Sequence, residues 1–314
     1  MGERSAYFDN TRAVLICLVV LGHCLELVRA DAPAGGLYAL IYSFHMPLFA
    51  FVSGACSRPD AARRHGSQAL FWLAVTTVVC ELLEFFIHGR ISRYTASGYP
   101  YWALWWLWSL GIWRCTLPLL SRTVWAIPLS VVLALAVSVL CPDGYFLGIA
   151  RTTYFWPFFL VGYFYRDAWL RLRGKIKPGI SCAVLLAMAL QLQVVTIPVE
   201  ILYGSYTAPA LFLDAGTMAG FRLQAYILAA IAGIAVLAVV PQSVSWVTRF
   251  GKRTLWVFLG HVLVLRFLPL KPLLVGMDGV GARLVLCVLL AGALVFLFSG
   301  FPGSGSRLSV PRDA

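Results

Sequence analysis

Arg12, His23 and Glu26 are the residues of this sequence whose types and spacing most directly suggest chemistry. His23 follows Arg12 by eleven residues. On an α-helix that is three turns plus about 20°, so the two share a face about 16 Å apart along the axis. Glu26 falls within about 40° of Arg12 on the same wheel. Asp9 stands three residues before Arg12, a spacing at which a helical ion pair forms. One face of one helix thus carries charge at one end and an imidazole–carboxylate pair further in. A carboxylate one turn away can orient and charge the histidine, which equips it for acid–base work. An ionisable side chain costs about 3 kcal/mol at the centre of a lipid-spanning helix, so each such group is a functional candidate by default.

Two further histidines lie in apolar runs. His45 is about eight residues, or roughly 12 Å, into the second run, and His261 is about 13 Å into the ninth. In an apolar core about 30 Å thick, with successive runs crossing in opposite directions, His23, His45 and His261 reach matching depth near the middle. Glu81 and Glu84, on the third run, come somewhat higher. The plain alternative for each histidine is a structural hydrogen bond to a neighbouring helix, and the two glutamates are read as contacts to polar groups in the bundle. Pro47 is expected to bend the second helix beside His45 and to free backbone carbonyls, which need a protein-lined or wet environment. Arg58, Arg63 and Arg64 cluster between the second and third runs, and Lys252 and Arg253 precede the ninth. Such clusters either set membrane orientation or bind phosphate, because the guanidinium fork matches phosphate oxygens bidentately. The second reading implies an anionic cofactor at the inner surface.

These side chains need helices to hold them. Of 314 residues, 61% are hydrophobic and 12% charged, and the mean hydropathy is +0.83. Soluble domains are about a quarter charged. No globular core absorbs this much apolar surface, so lipid must solvate much of it. Ten runs of near-spanning length follow one another, at about 12–29, 37–56, 67–88, 101–120, 123–141, 150–168, 179–197, 219–240, 253–270 and 282–300. The expected fold is all-α, a polytopic integral membrane helix bundle of about ten transmembrane helices with both termini in the cytoplasm. The basic residues agree with this count. Seventeen Lys and Arg fall on the inner side and eight on the other, the positive-inside bias. A net charge of +12 dispersed in this way orients a membrane protein and argues against nucleic acid as a partner. Eleven Trp and thirteen Tyr suit the headgroup level.

The eight cysteines are scattered, without a C-x-x-C pair, and read as small packing residues. Neither zinc nor any other metal is expected. The first run has no clear small-residue cleavage site and reads as a retained span. Residues 1–302 are expected to form one transmembrane domain, and 303–314, rich in Gly, Ser, Pro and Arg, a disordered cytoplasmic tail. The longest outer loop, about 198–218, either covers an external site or only connects two helices.

Five segments together resemble the acyltransferase-3 superfamily of membrane O-acyltransferases, in its compact branch related to fucose 4-O-acetylase. FDNTRAVLICLVVLGH, residues 8 to 23, matches the opening pattern of Asp, then Arg, then ten residues, then Gly-His. YSFHMPLFAFVSG at 42–54 is similar to the family's His-Met-Pro-Phe-Phe segment ending in Ser-Gly. LWWLWSL at 104–110, FWPFFLVGYFYR at 155–166 and GKRTLWVFLGH at 251–261 follow in order, so the resemblance covers nearly the whole chain. One feature departs from it: the superfamily's paired Arg-x-x-Arg at the third span is replaced by Arg58, Arg63 and Arg64 at other spacings.

The resemblance implies transfer of an acyl group, commonly acetyl, from cytoplasmic acyl-CoA to a hydroxyl. The acceptor would be a sugar, a glycolipid or another cell-envelope molecule, and the location the plasma (inner) membrane. Arg12, Arg58, Arg63, Arg64 and Lys252 would hold the CoA phosphates. His23 would act as general base on the acceptor hydroxyl or as a transient acyl carrier, with Glu26 supporting it. His45 and His261 would position acceptor or thioester, or polarise its carbonyl. A proton-coupled secondary transporter is the main competing class, because buried His and Glu also serve proton coupling. A non-catalytic membrane scaffold or sensor is another, and for it the Arg12–His23–Glu26 stripe would be an unneeded cost. Trp105, Trp106, Trp108 and Trp113 suit either sugar stacking or interface anchoring.

Overall fold

Each of the ten apolar runs coincides with a helix, and the described residues contain no strand. In chain order the helices are α1 (Ala6–Glu26), α2 (Ala32–Ala55), α3 (Pro59–His88), α4 (Trp105–Leu120), α5 (Ala126–Leu140), α6 (Ile149–Leu172), α7 (Pro178–Val194), α8 (Ala215–Val239), α9 (Thr254–Phe267) and α10 (Val280–Ser299). The computed structural model describes residues 5–194 and 198–300, and the expected tail at 303–314 lies outside them. The protein is an all-α membrane helix bundle. By length and composition α1, α2, α3, α8 and α10 can each cross a membrane, while α5, α7 and α9 are apolar but shorter. Ten crossings with both termini inside is the count we propose. Large apolar side chains stand outward in rows, among them Phe71, Val78, Phe85 and Phe86 on α3 and Val285, Val288 and Leu289 on α10. Water would penalise such rows and lipid does not.

Local chemistry sets the helix ends. Pro59 opens α3 behind an extended Arg58, and Gly89, at φ 66°, closes it in the left-handed region that suits glycine. Asp214 caps α8, its carboxylate accepting from the Thr217 amide at 2.9 Å and hydroxyl at 2.5 Å. Those bonds favour the ionised form and hold the Asp214 pKa below its ordinary value. The two glutamates of α3 are engaged by the segment that follows it. Glu81 accepts from the Ser92 amide (2.9 Å), the Ser92 hydroxyl and the Thr95 hydroxyl (2.6 Å). Glu84, almost wholly buried, accepts from the Tyr101 hydroxyl at 2.9 Å and pairs with His88 at 3.0 Å. Pro47 lies within an α2 that is helical on both sides of it.

The chain forms two compact units, residues 1–41 with 239–314, and residues 42–238. In the first, α1 packs on the short helix Thr248–Lys252, on α9 and on α10. Asp9 meets Gly251 and His23 meets His261, so α1 and α9 run in the same direction. Arg253 donates to the Ser299 carbonyl and the Cys287 thiol lies 3.6 Å from the Cys24 carbonyl, so α10 runs back against them. Arg283 and Asp31 form an ion pair at 3.0 Å.

In the second unit α3 packs on α4 and α5 on α6. The unit-two part of α2 crosses α6 with backbones almost touching. A Cβ on Gly54 would strike the Phe159 carbonyl, and one on Gly162 the Phe51 carbonyl. Trp106 and Trp113 are interior residues, not interface anchors. Trp113 is fully buried and its indole N–H donates to the Thr152 carbonyl at 2.9 Å. Trp106 packs edge-on to Trp113 and Phe49.

Candidate functional site

The start of α1 is built as a socket. Asp9 Oδ1 accepts from Arg12 Nη1 at 3.0 Å, the expected i,i+3 pair. The Asn10 amide donates to the carbonyls of Pro241 and Ser243, both at 2.9 Å, and its oxygen accepts from the Thr248 hydroxyl at 2.7 Å. Asn10 therefore ties the 241–248 segment to α1. Gly251 then lies so close to the Asp9 carbonyl that no side chain fits. The DNTR and GKR segments, more than two hundred residues apart in sequence, dock through backbone and amide contacts. Sequence reasoning did not find Asn10, because its partners are main-chain carbonyls that carry no residue signature.

α1 starts at Ala6, six residues before Arg12, so the helix that holds the Asp9–Arg12 pair begins ahead of the apolar run. The polar first turns, Asp9 to Thr11, are buried against the docked segment, which extends the helix beyond its apolar run. His23 is accordingly the eighteenth of 21 residues and lies one turn from the far end.

Docking α9 beside α1 brings two of the histidines together. The His23 and His261 rings stack with centroids 5.5 Å apart and planes 23° from parallel. His261 is 0% exposed. Its Nδ1 lies 3.0 Å from the Val257 carbonyl one turn earlier. A carbonyl only accepts, so Nδ1 must carry the proton, and Nε2 is left with a lone pair. That Nε2 is buried and finds no hydrogen-bond partner among the described residues. His23 Nδ1 lies 3.3 Å from Glu26 Oε2. The carboxylate likewise fixes the proton on Nδ1 and turns the basic nitrogen of His23 away from itself. Two imidazoles thus lie side by side, each with a hydrogen-bond partner at Nδ1. Glu26 is about one-third exposed and His23 half as much, so the pair is open to a reactant.

The other candidates are distributed differently. His45 belongs to the second unit, where it is buried at mid-α2 with Tyr42 edge-on at 4.7 Å. Arg58, Arg63 and Arg64 are exposed at and just after the start of α3, and Lys252 is exposed at the end of its short helix. Arg12 is partly exposed. Arg253 caps α10 through Ser299, and Arg249 lies over the rings of Phe250 and Phe296, so these two cations are used structurally.

The sequence pattern of the acyltransferase-3 family, an acyltransferase domain, matches residues 5–302. The chain belongs to that family. The chain is also similar to the nodulation protein NolL of Sinorhizobium fredii (strain NBRC 101917 / NGR234), 35% identical over 91 residues. The match covers 26% of this chain and 25% of NolL. No solved structure matches. Family membership and the apolar helices together make this chain a multi-pass membrane member of the acyltransferase-3 family.

Proposed function

We propose that this acyltransferase moves an acyl group, acetyl in the simplest case, from cytoplasmic acyl-CoA to a hydroxyl on a sugar, glycolipid or other cell-envelope molecule. The observation that carries the proposal is the His23–Glu26 pair, with a carboxylate behind Nδ1 of a partly exposed imidazole. His23 Nε2 takes the proton of the acceptor hydroxyl. The oxygen attacks the thioester carbonyl, the C–S bond breaks, and the imidazolium returns the proton to the CoA thiolate. Glu26 holds the ring and offsets the transient positive charge, as the carboxylate does behind other catalytic histidines. His261, buried against the His23 ring, helps to position acceptor or thioester through that ring. His45 helps to position acceptor or thioester. Arg12, Arg58, Arg63, Arg64 and Lys252 hold the phosphates of CoA at the inner face. The plasma membrane is the proposed location.

The test is acetyl-CoA binding and CoA release by the full chain in nanodiscs, for wild type, R12A and H23A. Wild type should bind and release CoA, R12A should lose binding, and H23A should bind without release. A folded H23A protein with full transfer activity would remove His23 from the mechanism. Wild type that neither binds acetyl-CoA nor releases CoA would remove the donor.

A further inference from the structure

The segment between α8 and α9 is pinned on one side and open on the other. Asn10 donates to the Pro241 and Ser243 carbonyls and accepts from the Thr248 hydroxyl, and the Ser245 amide donates to Thr248 Oγ1 at 2.9 Å. Between these fixed points Val244 and Trp246 stand 75% and 70% exposed. The Trp246 ring meets Phe250 edge-on at 5.4 Å. Slack in the chain does not account for the exposure, because residues on both sides are held. A neighbouring indole and isopropyl group kept outward in this way are poorly served by water and well served by the headgroup layer of a bilayer.

The same clamp fixes the depth. Asn10 stands two residues, about 3 Å, before the apolar run of α1. Its partners therefore lie at headgroup level and not in hydrocarbon. Arg249 lies at that boundary too. Its guanidinium is 5.0 Å from the Phe250 ring and 5.2 Å from the Phe296 ring. Phe296 is 65% exposed and lies three residues from the end of α10 at Ser299. Stacking uses the faces of a guanidinium and leaves its N–H groups in the plane. Arg249 is exposed, and among the described residues no carboxylate or carbonyl accepts from it. Residues 239–277 contain no acid, and Asp9, which meets this segment at Gly251, is paired with Arg12. Arg249 thus stands at the rim of the lipid-facing surface with no counter-charge in its own segment.

We propose that residues 241–250 form a binding site for an anionic phospholipid of the inner leaflet, with the lipid phosphate on Arg249 and with Val244 and Trp246 bedded among the headgroups. A guanidinium fork matches phosphate oxygens bidentately. Anionic lipid gives the cytoplasmic leaflet its negative surface, which draws cations placed beside it. The exposed apolar side chains decide between a lipid and a soluble phosphate. Phe296, Val244 and Trp246 offer a surface to acyl chains and headgroups, and a free phosphate gains nothing from them. Because this segment also clamps the first turns of α1, the bound lipid steadies the Asp9–Arg12 end of that helix. The site requires neither acyl-CoA nor transfer.

The test uses the full chain in nanodiscs of equal parts phosphatidylcholine and phosphatidylglycerol. In a background without the native cysteines, Val244→Cys carries an environment-sensitive fluorophore. Iodide quenches it from water, and either lipid, spin-labelled near the headgroup, quenches it from the bilayer. The lipids should quench strongly and iodide weakly. Labelled phosphatidylglycerol should be about fivefold more effective than labelled phosphatidylcholine, the factor for one cation beside an anionic layer. Arg249→Gln should bring that ratio close to one, Arg249→Lys should keep most of it, and saturating acetyl-CoA should leave it unchanged. Should the cysteine-free chain not fold, brominated forms of the two lipids give the same ratio from the fluorescence that Trp246→Phe removes. Should Arg249→Gln not fold, Phe296→Leu takes its place, since it keeps the apolar surface but removes a ring from under the guanidinium and should lower the ratio. Quenching by iodide alone would put the segment in water and overturn the site. Equal quenching by the two lipids, or a ratio that survives in folded Arg249→Gln, would overturn it as well. A ratio abolished by acetyl-CoA would give Arg249 to the donor and not to a lipid. An intact ratio in a protein that binds no acetyl-CoA would uphold this site and overturn the donor proposal alone.

Discussion

At the scale of single residues the site is organised by which nitrogen holds a proton. Glu26 and the Val257 carbonyl each accept from an Nδ1, which fixes the tautomer of both rings. His23→Ala should lower acetyl transfer by about 10²–10⁴-fold, the usual share of a general base. Glu26→Gln still offers an oxygen to Nδ1–H but no charge, and should give a smaller loss with acetyl-CoA affinity unchanged. Single-turnover CoA release in nanodiscs measures both, and equal losses would mean that Glu26 does more than orient the ring. Asn10 makes a different prediction. Replacing it by Ala leaves the Pro241 and Ser243 carbonyls and the Thr248 hydroxyl short of a partner, at a cost of about 1–3 kcal/mol. The thermal midpoint in detergent should fall accordingly, and an unchanged midpoint would show that this clamp carries no stability. The histidines were legible in the sequence because a charge-bearing side chain in an apolar run stands out. Asn10 was not, since its significance lies in what surrounds it and not in its type.

Helices were the most legible level, because lipid demands a long apolar run for each and the sequence supplies ten. What the runs do not reveal is how closely the helices approach. Gly54 and Gly162 sit in two of the segments that carry the family resemblance, and the structure gives them one shared task at the crossing of α2 and α6. Gly54→Ala forces a methyl group into the Phe159 carbonyl and should cost about 1–3 kcal/mol of stability. Gly292, within α10, has nothing within 4 Å of its would-be Cβ. Gly292→Ala should therefore be neutral or stabilising by up to about 1 kcal/mol, the helix-propensity gain alone. Parallel thermal unfolding of the two variants checks the contrast, and equal midpoints would show that the crossing tolerates separation. The burial of the first turns of α1 was not legible for a related reason: they are polar in composition and become interior only through a partner segment from the other end of the chain.

For the whole molecule, the proposed arrangement of ten crossings can be mapped directly. In a background lacking the eight native cysteines, Asp214→Cys should react with an impermeant maleimide in intact cells, and Lys252→Cys only after lysis. The reverse pattern, or labelling of both from outside, would overturn the topology. The docking of Gly251 on Asp9 also bears on how the protein is made. A nascent chain delivers α1 to the membrane first, yet Asn10, His23 and the backbone of Asp9 meet their partners only when residues 241–261 emerge. At about 5–20 residues per second the wait is on the order of ten to fifty seconds. Throughout that interval the first helix carries the Asn10 amide and the His23 ring without the partners that the later segment brings. Synthesis halted before the ninth helix should therefore leave an orphan for the cell's quality control, and an insertase or chaperone that shelters polar helices would be rate-determining for yield.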